Sequence, residues 1–501
     1  MGLLSMLRTG LRYWRGQRAH VHDLEQVVFY MRRRRERGLP VLPLGFADQL
    51  QRSGRRDPAA VRALQTRQLR KTVEYVYRYV PFYRQALDAT GVKPADIRSL
   101  ADIHKLPITR KKHLSEDTSA FISRYPGLVP TTVCSTSGTT GERLKLYLTT
   151  EELRYHAATR AIAGLLAGRL GPEDIIQVNQ PLGRSLATLV NAMAARLAGA
   201  LVLTPELRGT LDDHMNSILE ERHVPGKKRK VSGLYIYPSH LWALTRYVEE
   251  MGIDLGDSGL EWIRTFAALV SEDLKRRVLE TWGIALHESY GLNELFTCVS
   301  PQCSRSERLH FPDAMGYAEV LDAETDEPVP MGRPGVMTIT SFYPYRELMP
   351  FLRYWTGDVV VLSPDPVCAC GVATTQIVDV IGRVDHMVKV GARLTNPQTI
   401  GDDLLAFPQL VQPPRFTVHT EQREDAVHVI LDVELARELP TEHNDDLREQ
   451  VRARLSLNQI QEVTLGSDRL VVNLRPPGSI EHPFPYKMQE GGGEAEWQRE
   501  A

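Results

Sequence analysis

Between Asp174 and Glu294 the chain repeats one order of segments, strand-like and then helix-like, and this alternation limits its fold more than any other feature. "DIIQVNQ" has a strand pattern. "LATLVNAMAARLAG" places Leu186, Leu189, Val190, Met193 and Leu197 on one helical face and stops at Gly199, after which "ALVLT" reads as a strand again. "GLYIYP" leads into "SHLWALTRYVEEMG", where Ser239 is expected to cap the helix and Gly252 to end it. "TFAAL" leads into "SEDLKRRVLETWG", with Ser271 at the cap and Glu272 and Asp273 in the first turn. Such a chain is restricted to largely parallel sheets covered by helices, with ligands at the carboxyl ends of the strands. The expected fold class is α/β: a large N-terminal domain of mostly parallel sheets covered by helices, plus a small mobile α+β C-terminal domain.

The flanking segments set the expected boundaries. Residues 1–110 read as a helical N-terminal region, in which Leu64, Leu69, Val73, Val76 and Val80 keep helical spacing until Pro81 breaks the run. Residues 111–384 form the core of the large domain, with a texture of short strands and turns after about Pro312. Residues 385–487 are expected to form the small domain, with strands in "FTVHTE" and "AVHVILDVEL" and a helix in "EHNDDLREQVRARLS". Residues 488–501 are Gly-rich and acidic and are expected to be disordered.

A formal net charge of −1 over 501 residues argues against nucleic acid or an anionic membrane as a bulk partner. The run "MRRRRERG" (Met31 to Gly38) is expected to be a solvated helix face or connector. Five cysteines form no disulfide framework, so a reducing, cytoplasmic setting is expected. The first twenty residues lack an apolar run long enough for a signal peptide or membrane helix, although their leucines and arginines suit an amphipathic helix. Oligomeric state is not legible.

"CSTSGTTGERLKLYLTT" places Thr136, Ser137, Gly138, Thr139, Thr140 and Gly141 just before a strand. Glycines let backbone N–H groups turn into a concavity and hydroxyls add donors, a combination suited to phosphate oxygens or to a plain turn. The Gly-Lys-Ser/Thr ending of a P-loop is absent. "SYGLNE" (Ser289 to Glu294) ends in a carboxylate able to hold Mg²⁺. "RYWTGD" (Arg353 to Asp358) ends in an aspartate suited to two ribose hydroxyls, and "GRVDHMVKV" sets Arg383 and Asp385 at the expected domain junction.

Together these motifs resemble the adenylate-forming superfamily of acyl-CoA synthetases, and within it the phenylacetate–coenzyme A ligase branch. "LRKTVEYVYRYVPFYRQAL" and "LVSEDLKRRVLETWGIALHESYGLNE" carry the closer likeness, which runs from about Leu69 to Lys487. The resemblance implies ATP-dependent activation of a carboxylic acid as an acyl-adenylate, then transfer to a thiol, with coenzyme A the expected acceptor. It implies that Thr136 to Gly141, with Thr139 catalytic, wrap the ATP phosphates. Tyr290, Gly291 and Asn293 then lie at the nucleotide, Glu294 binds Mg²⁺, Asp358 takes the ribose and Arg383 the ribose or phosphate. Asp385 matches the hinge between two half-reactions, and Lys487 matches the lysine that neutralises charge on the α-phosphate. Two departures stand out: Tyr486 precedes Lys487 in place of glycine, and Ala392 occupies another usual glycine position.

"PQCSRSERLH" and "PVCACG" supply Cys303, His310, Cys368 and Cys370, a Cys₃His set suited to tetrahedral Zn²⁺, with Gly371 allowing the turn that Cys-x-Cys needs. The branch can carry a structural zinc at matching positions. Cys134 and Cys298 are expected to be buried and unliganded. Tyr235, Tyr237 and Trp242 suit an aryl pocket or ordinary core packing, and His240 and His287 suit a polar acid or a satisfied core. An aryl or heteroaryl acid is a guess from the branch. The rival readings are transfer to an amine or carrier-protein thiol, and a degenerate nucleotide-binding protein without catalysis.

Overall fold

The computed structural model describes residues 2–14, 17–42, 57–135, 144–179, 186–205, 209–266, 270, 272–384, 388–390, 393–395, 397–411, 414–423, 426–455 and 470–481. It divides into two units, Met1–Ala268 with Val278–Thr356 and Val360–Asp379, and Leu269–Arg277 with Gly357–Val359 and Val380–Ala501.

The alternating stretch builds a five-stranded parallel sheet in the first unit. Its spatial order is Leu201–Leu203, Ile175–Asn179, Gly233–Ile236, Trp262–Thr265 and Leu286–His287. Helices between successive strands cover it, so the strands are apolar on both faces: Ile175, Ile176, Val178, Leu234, Ile236 and Ile263 are fully buried. Gly233 is fixed by packing, since a Cβ there would stand 2.2 Å from the Trp262 ring. The helix Pro238–Met251 ends at Gly252 in the left-handed conformation, as expected. Its start differs from expectation: Tyr237 is the cap without a side-chain bond, and Pro238, which needs no N–H partner, opens the first turn. Ser271 lies outside the described residues.

A second five-stranded sheet orders Leu309–His310, Gln376–Arg383, Tyr354–Leu362, Pro334–Ser341 and Gly316–Leu321. Upstream, the helix Pro58–Tyr79 is capped by Asp57, which accepts from the Ala59 amide at 3.0 Å, and buries Leu64, Leu69, Val73 and Val76. Pro81 ends that helix and opens the next, Pro81–Thr90. The basic run closes the helix Val21–Glu36 and is less solvated than its composition suggests. Arg35 pairs with Glu173, Arg32 lies against Gly199 and bonds Glu36 at 2.8 Å, and Val28 and Met31 are fully buried.

In the second unit, Phe416–Arg423 pairs antiparallel with Ala426–Glu434, which pairs parallel with Leu470–Arg475. The helix Thr441–Leu455 lies between the parallel partners in sequence and closes a core of Phe416, Leu431, Val433 and Val451. Among the described residues no helix is long and apolar enough to cross a membrane.

Candidate active site and metal cluster

The strand Thr132–Ser135 runs into the Gly/Thr segment, and its partner Lys145–Leu148 leaves it, in antiparallel register from Thr132↔Leu148 to Ser135↔Lys145. This ladder holds the two ends of the segment side by side. Thr136 to Gly141 themselves lie outside the described residues, as do Asp385, Ala392, Tyr486 and Lys487.

Below the ladder sits a cluster of Cys134, Leu148, Leu153, Ala157, Leu186, Val190 and Phe296. Phe296 brings the Ser289–Glu294 turn to the same place. Burial raises the Cys134 thiol above its ordinary range, and the nearby Glu294 carboxylate adds to that rise. Cys298 is buried too, its thiol pushed up to about 12, first by burial.

Glu294 is 8% exposed, and its Oε1 accepts from the Tyr354 hydroxyl at 3.0 Å. That bond fixes the carboxylate and leaves Oε2 for a cation or another donor. Tyr290, Gly291 and Asn293 are half-buried around it, and a Cβ on Gly291 would sit 3.0 Å from Val299. In the second unit, Asp358 is nearly buried and Arg383 Nη1 stands 3.5 Å from its Oδ1. Gly357 permits that approach twice over: its φ is +77°, and a Cβ would lie 2.9 Å from Arg383 Nη2.

Tyr235 is buried edge-on to Trp262 at 5.0 Å between ring centres, and Tyr237 lies 5.6 Å from Phe266. Trp242 is buried. His240 faces His214 at 4.6 Å, and burial first, then His214, pushes it down to about 3.

The cysteine–histidine set converges. Ligand atoms of Cys303, His310, Cys368 and Cys370 all lie within 4.8 Å of one another, with Sγ–Sγ 3.9 Å between Cys303 and Cys368 and 3.8 Å from Cys370 Sγ to His310 Nε2. Donors about 2.3 Å from a tetrahedral zinc stand about 3.8 Å apart, so the set fits that ion and its S–S separation is far from a disulfide. Gly371, at φ +89°, closes the turn that brings Cys368 and Cys370 to one side, with its N–H on the Cys368 carbonyl at 2.7 Å. The Arg305 amide donates to Cys303 Sγ at 3.4 Å.

Two supports were missed from sequence. Arg353 takes a positive φ of 43° and is held there by Glu319, bonded at 2.8 and 3.3 Å, and by the Leu106 carbonyl. It is a structural residue immediately before the strand Tyr354–Leu362. Glu152 and Arg346 form a buried ion pair under the glycine-segment ladder. The only sequence sign was the capping pattern Thr149-x-x-Glu152, which the structure shows satisfied in both directions.

The AMP-binding enzyme family matches residues 84–345. The chain is 28% identical over 429 residues to a phenylacetate–coenzyme A ligase of Thermus thermophilus, covering 83% of this chain and 93% of that protein. It is 25% identical over 425 residues to the enzyme of the same name from Escherichia coli, covering 82% and 91%. Among solved structures, 2-hydroxyisobutyryl-CoA ligase in the postadenylation state superposes with a TM-score of 0.67 at 19% identity, over 87% of this chain and 90% of that one. An open conformation of that ligase, in complex with 2-HIB-AMP and CoA, gives 0.62 over 84% and 89%. With more than half of its length matched, the chain belongs to the family of AMP-binding enzymes.

Proposed function

We propose that this protein joins a carboxylic acid to coenzyme A in two steps: ATP and the acid give an acyl-adenylate and pyrophosphate, and the coenzyme A thiol then displaces AMP. The observation that carries this reading is the match, over more than nine-tenths of their length, to relatives named as phenylacetate–coenzyme A ligases. The buried Glu294, held by Tyr354 at 3.0 Å, supports it, because a carboxylate fixed on one oxygen suits Mg²⁺ on the other. Mg²⁺ there supplies charge neutralisation to the ATP phosphates. Asp358 accepts from ribose hydroxyls and Arg383 contacts ribose or phosphate, while Tyr290, Gly291 and Asn293 border the nucleotide. Thr136 to Gly141 hold phosphates, with Thr139 in the catalytic role. Asp385 is the hinge between half-reactions, and Lys487 neutralises the α-phosphate. Tyr235, Tyr237 and His240 border the acid, and an aryl or heteroaryl acid fits the aromatic pair.

Cys303, His310, Cys368 and Cys370 hold a structural zinc, all four positions being filled by protein. Five unpaired cysteines fit a reducing, cytoplasmic setting. The decisive experiment is acid-dependent exchange of labelled pyrophosphate into ATP, followed by coenzyme A-dependent AMP release. Exchange without coenzyme A turnover would transfer the second step to an amine or carrier-protein acceptor. No exchange with any acid, in protein that binds ATP, would sink the ligase reading.

A further inference from the structure

Three guanidinium groups meet in the first unit, and among the described residues no carboxylate pairs with any of them. Arg264 lies in the Trp262–Thr265 strand, in register with Tyr235 on one side and His287 on the other, so all three side chains leave the same face of the sheet. Arg160 reaches this face from the helix Thr150–Leu166, and Arg169 from the turn after it. Arg160 donates to Asn191 Oδ1 at 2.8 Å and lies 3.5 Å from the Ala187 carbonyl. Arg169 Nη2 donates to His287 Nε2 at 3.0 Å, which requires a neutral imidazole. Arg264 Nε is buried without a hydrogen-bond partner. Among the described residues, none of the three arginines forms an ion pair.

The groups are close enough to repel. Burial, opposed by Tyr235 and reinforced by Arg264, brings Arg160 down to about 10, and burial with Arg264 lowers Arg169 as well. Burial first, then Arg169 and Arg264, pushes His287 down to about 4. All four nonetheless keep part of their surface open to solvent. These half-buried groups therefore stand beside one another and within reach of solvent. Positive charge left partly buried and unpaired is costly, so such a cluster suits an anion.

Its position says which one. Tyr235, Arg264 and His287 each stand two residues before Tyr237, Phe266 and Ser289, at the carboxyl ends of the strands where the Ser289–Glu294 turn begins. Two strand residues span roughly 7 Å. We propose that Arg160, Arg169 and Arg264 bind a second, non-reacting anionic group of the acid substrate, and that the enzyme activates dicarboxylic acids at one end. The separation suits two carboxylates joined by an aromatic ring or a short alkyl chain. The substrate class rests on the ligase reading above; the anion site does not.

The test pairs acids that differ only in the distal charge: terephthalate with benzoate, and adipate with hexanoate, with 4-sulfobenzoate to separate carboxylate from other anions. In pyrophosphate exchange, the diacid of each pair is expected to exceed its partner in kcat/KM by about 10- to 100-fold, the range of one charge-assisted contact. In Arg264→Gln that ratio falls toward one while KM for ATP is unmoved; Arg169→Gln is the second variant should the first fail to fold. Equal use of mono- and diacids by the wild type overturns the proposal, and so does an Arg264→Gln ratio as large as wild type. Preference for 4-sulfobenzoate over terephthalate overturns the dicarboxylate assignment.

Calorimetric titration of the full chain keeps the anion site separate from the ligase reading. If no acid supports exchange, tighter binding of terephthalate than benzoate, abolished in Arg264→Gln, still upholds the site while the ligase reading falls. Equal binding of the two acids, unchanged in Arg264→Gln, overturns the site.

Discussion

The Glu152 carboxylate and the Arg346 guanidinium, both wholly buried, meet at 3.1 Å and join segments 194 residues apart. Oε1 also accepts from the Glu347 and Leu348 amides at 2.8 and 3.2 Å, while Oε2 accepts from the Thr149 amide at 2.9 Å. Arg346 Nη2 donates to the Tyr147 carbonyl at 3.1 Å. One carboxylate therefore fastens a helix start, a strand end and the 346–348 loop together, directly after the expected phosphate segment.

Replacing Glu152 by alanine leaves a buried guanidinium without its counter-charge, which is expected to cost about 3–5 kcal/mol of stability. Urea unfolding followed by circular dichroism measures it. A loss below about 1 kcal/mol would show that the pair contributes only local order.

Tyr354→Phe removes one hydroxyl and leaves the Glu294 carboxylate short of a donor. Pyrophosphate exchange should fall about 10- to 100-fold, in keeping with the loss of one hydrogen bond to a charged group. Glu294→Gln, which removes the charge itself, should fall further and respond less to added Mg²⁺. Equal activity of Tyr354→Phe and wild type would detach the tyrosine from the site.

Purified, reduced protein should carry about one zinc per chain, measured by plasma emission spectrometry, and Cys303→Ser should carry much less. Chelation should lower the thermal midpoint of the wild type without abolishing pyrophosphate exchange in the fraction still folded, because a fully protein-ligated ion has no open position for substrate. A metal-free wild type would remove the zinc assignment.

Three histidines set an acid limit. His156 is pushed down to about 3 and His240 to about 3, each first by burial, and His287 to about 4. Each pKa is depressed from the ordinary imidazole value of 6.5, so the unfolded chain binds more protons as pH falls through that value. The stability of the neutral forms is fully present above about pH 6.5 and is lost progressively toward pH 4 and below. Unfolding free energies at pH 7.5, 6, 5 and 4.5 should decline below 6.5, and the ring-proton resonances of these histidines should not titrate until well below pH 5. An imidazole that titrates near 6.5 would contradict its burial.

The alternation of strands and helices, the glycine that stops the helix at Gly252 and the grouping of Cys303, His310, Cys368 and Cys370 were all legible, because each depends on neighbours a few residues away or on spacing with few solutions. The role of Arg353 was not. Within "RYWTGD" it reads as part of a binding motif, yet it spends its guanidinium on Glu319 and backbone carbonyls. Pro238 displaced Ser239 from the helix start because a ring without an N–H is already adapted to the first turn. The Glu152–Arg346 pair and the arginine cluster were invisible for a shared reason. Their members come from segments far apart, and only strand register shows that Tyr235, Arg264 and His287 face the same way.

Gly233 carries that register one step further. Because it has no methyl group, the Trp262 ring can lie across it, and from there the indole N–H donates to the Arg169 carbonyl at 2.9 Å. That bond ties down the turn from which Arg169 extends to His287. The placement of a positive charge is thus governed by an uncharged residue on a neighbouring strand. The arginine cluster can therefore be rearranged from its packing: Gly233→Ala would shift the guanidinium while every charged residue stays in the sequence.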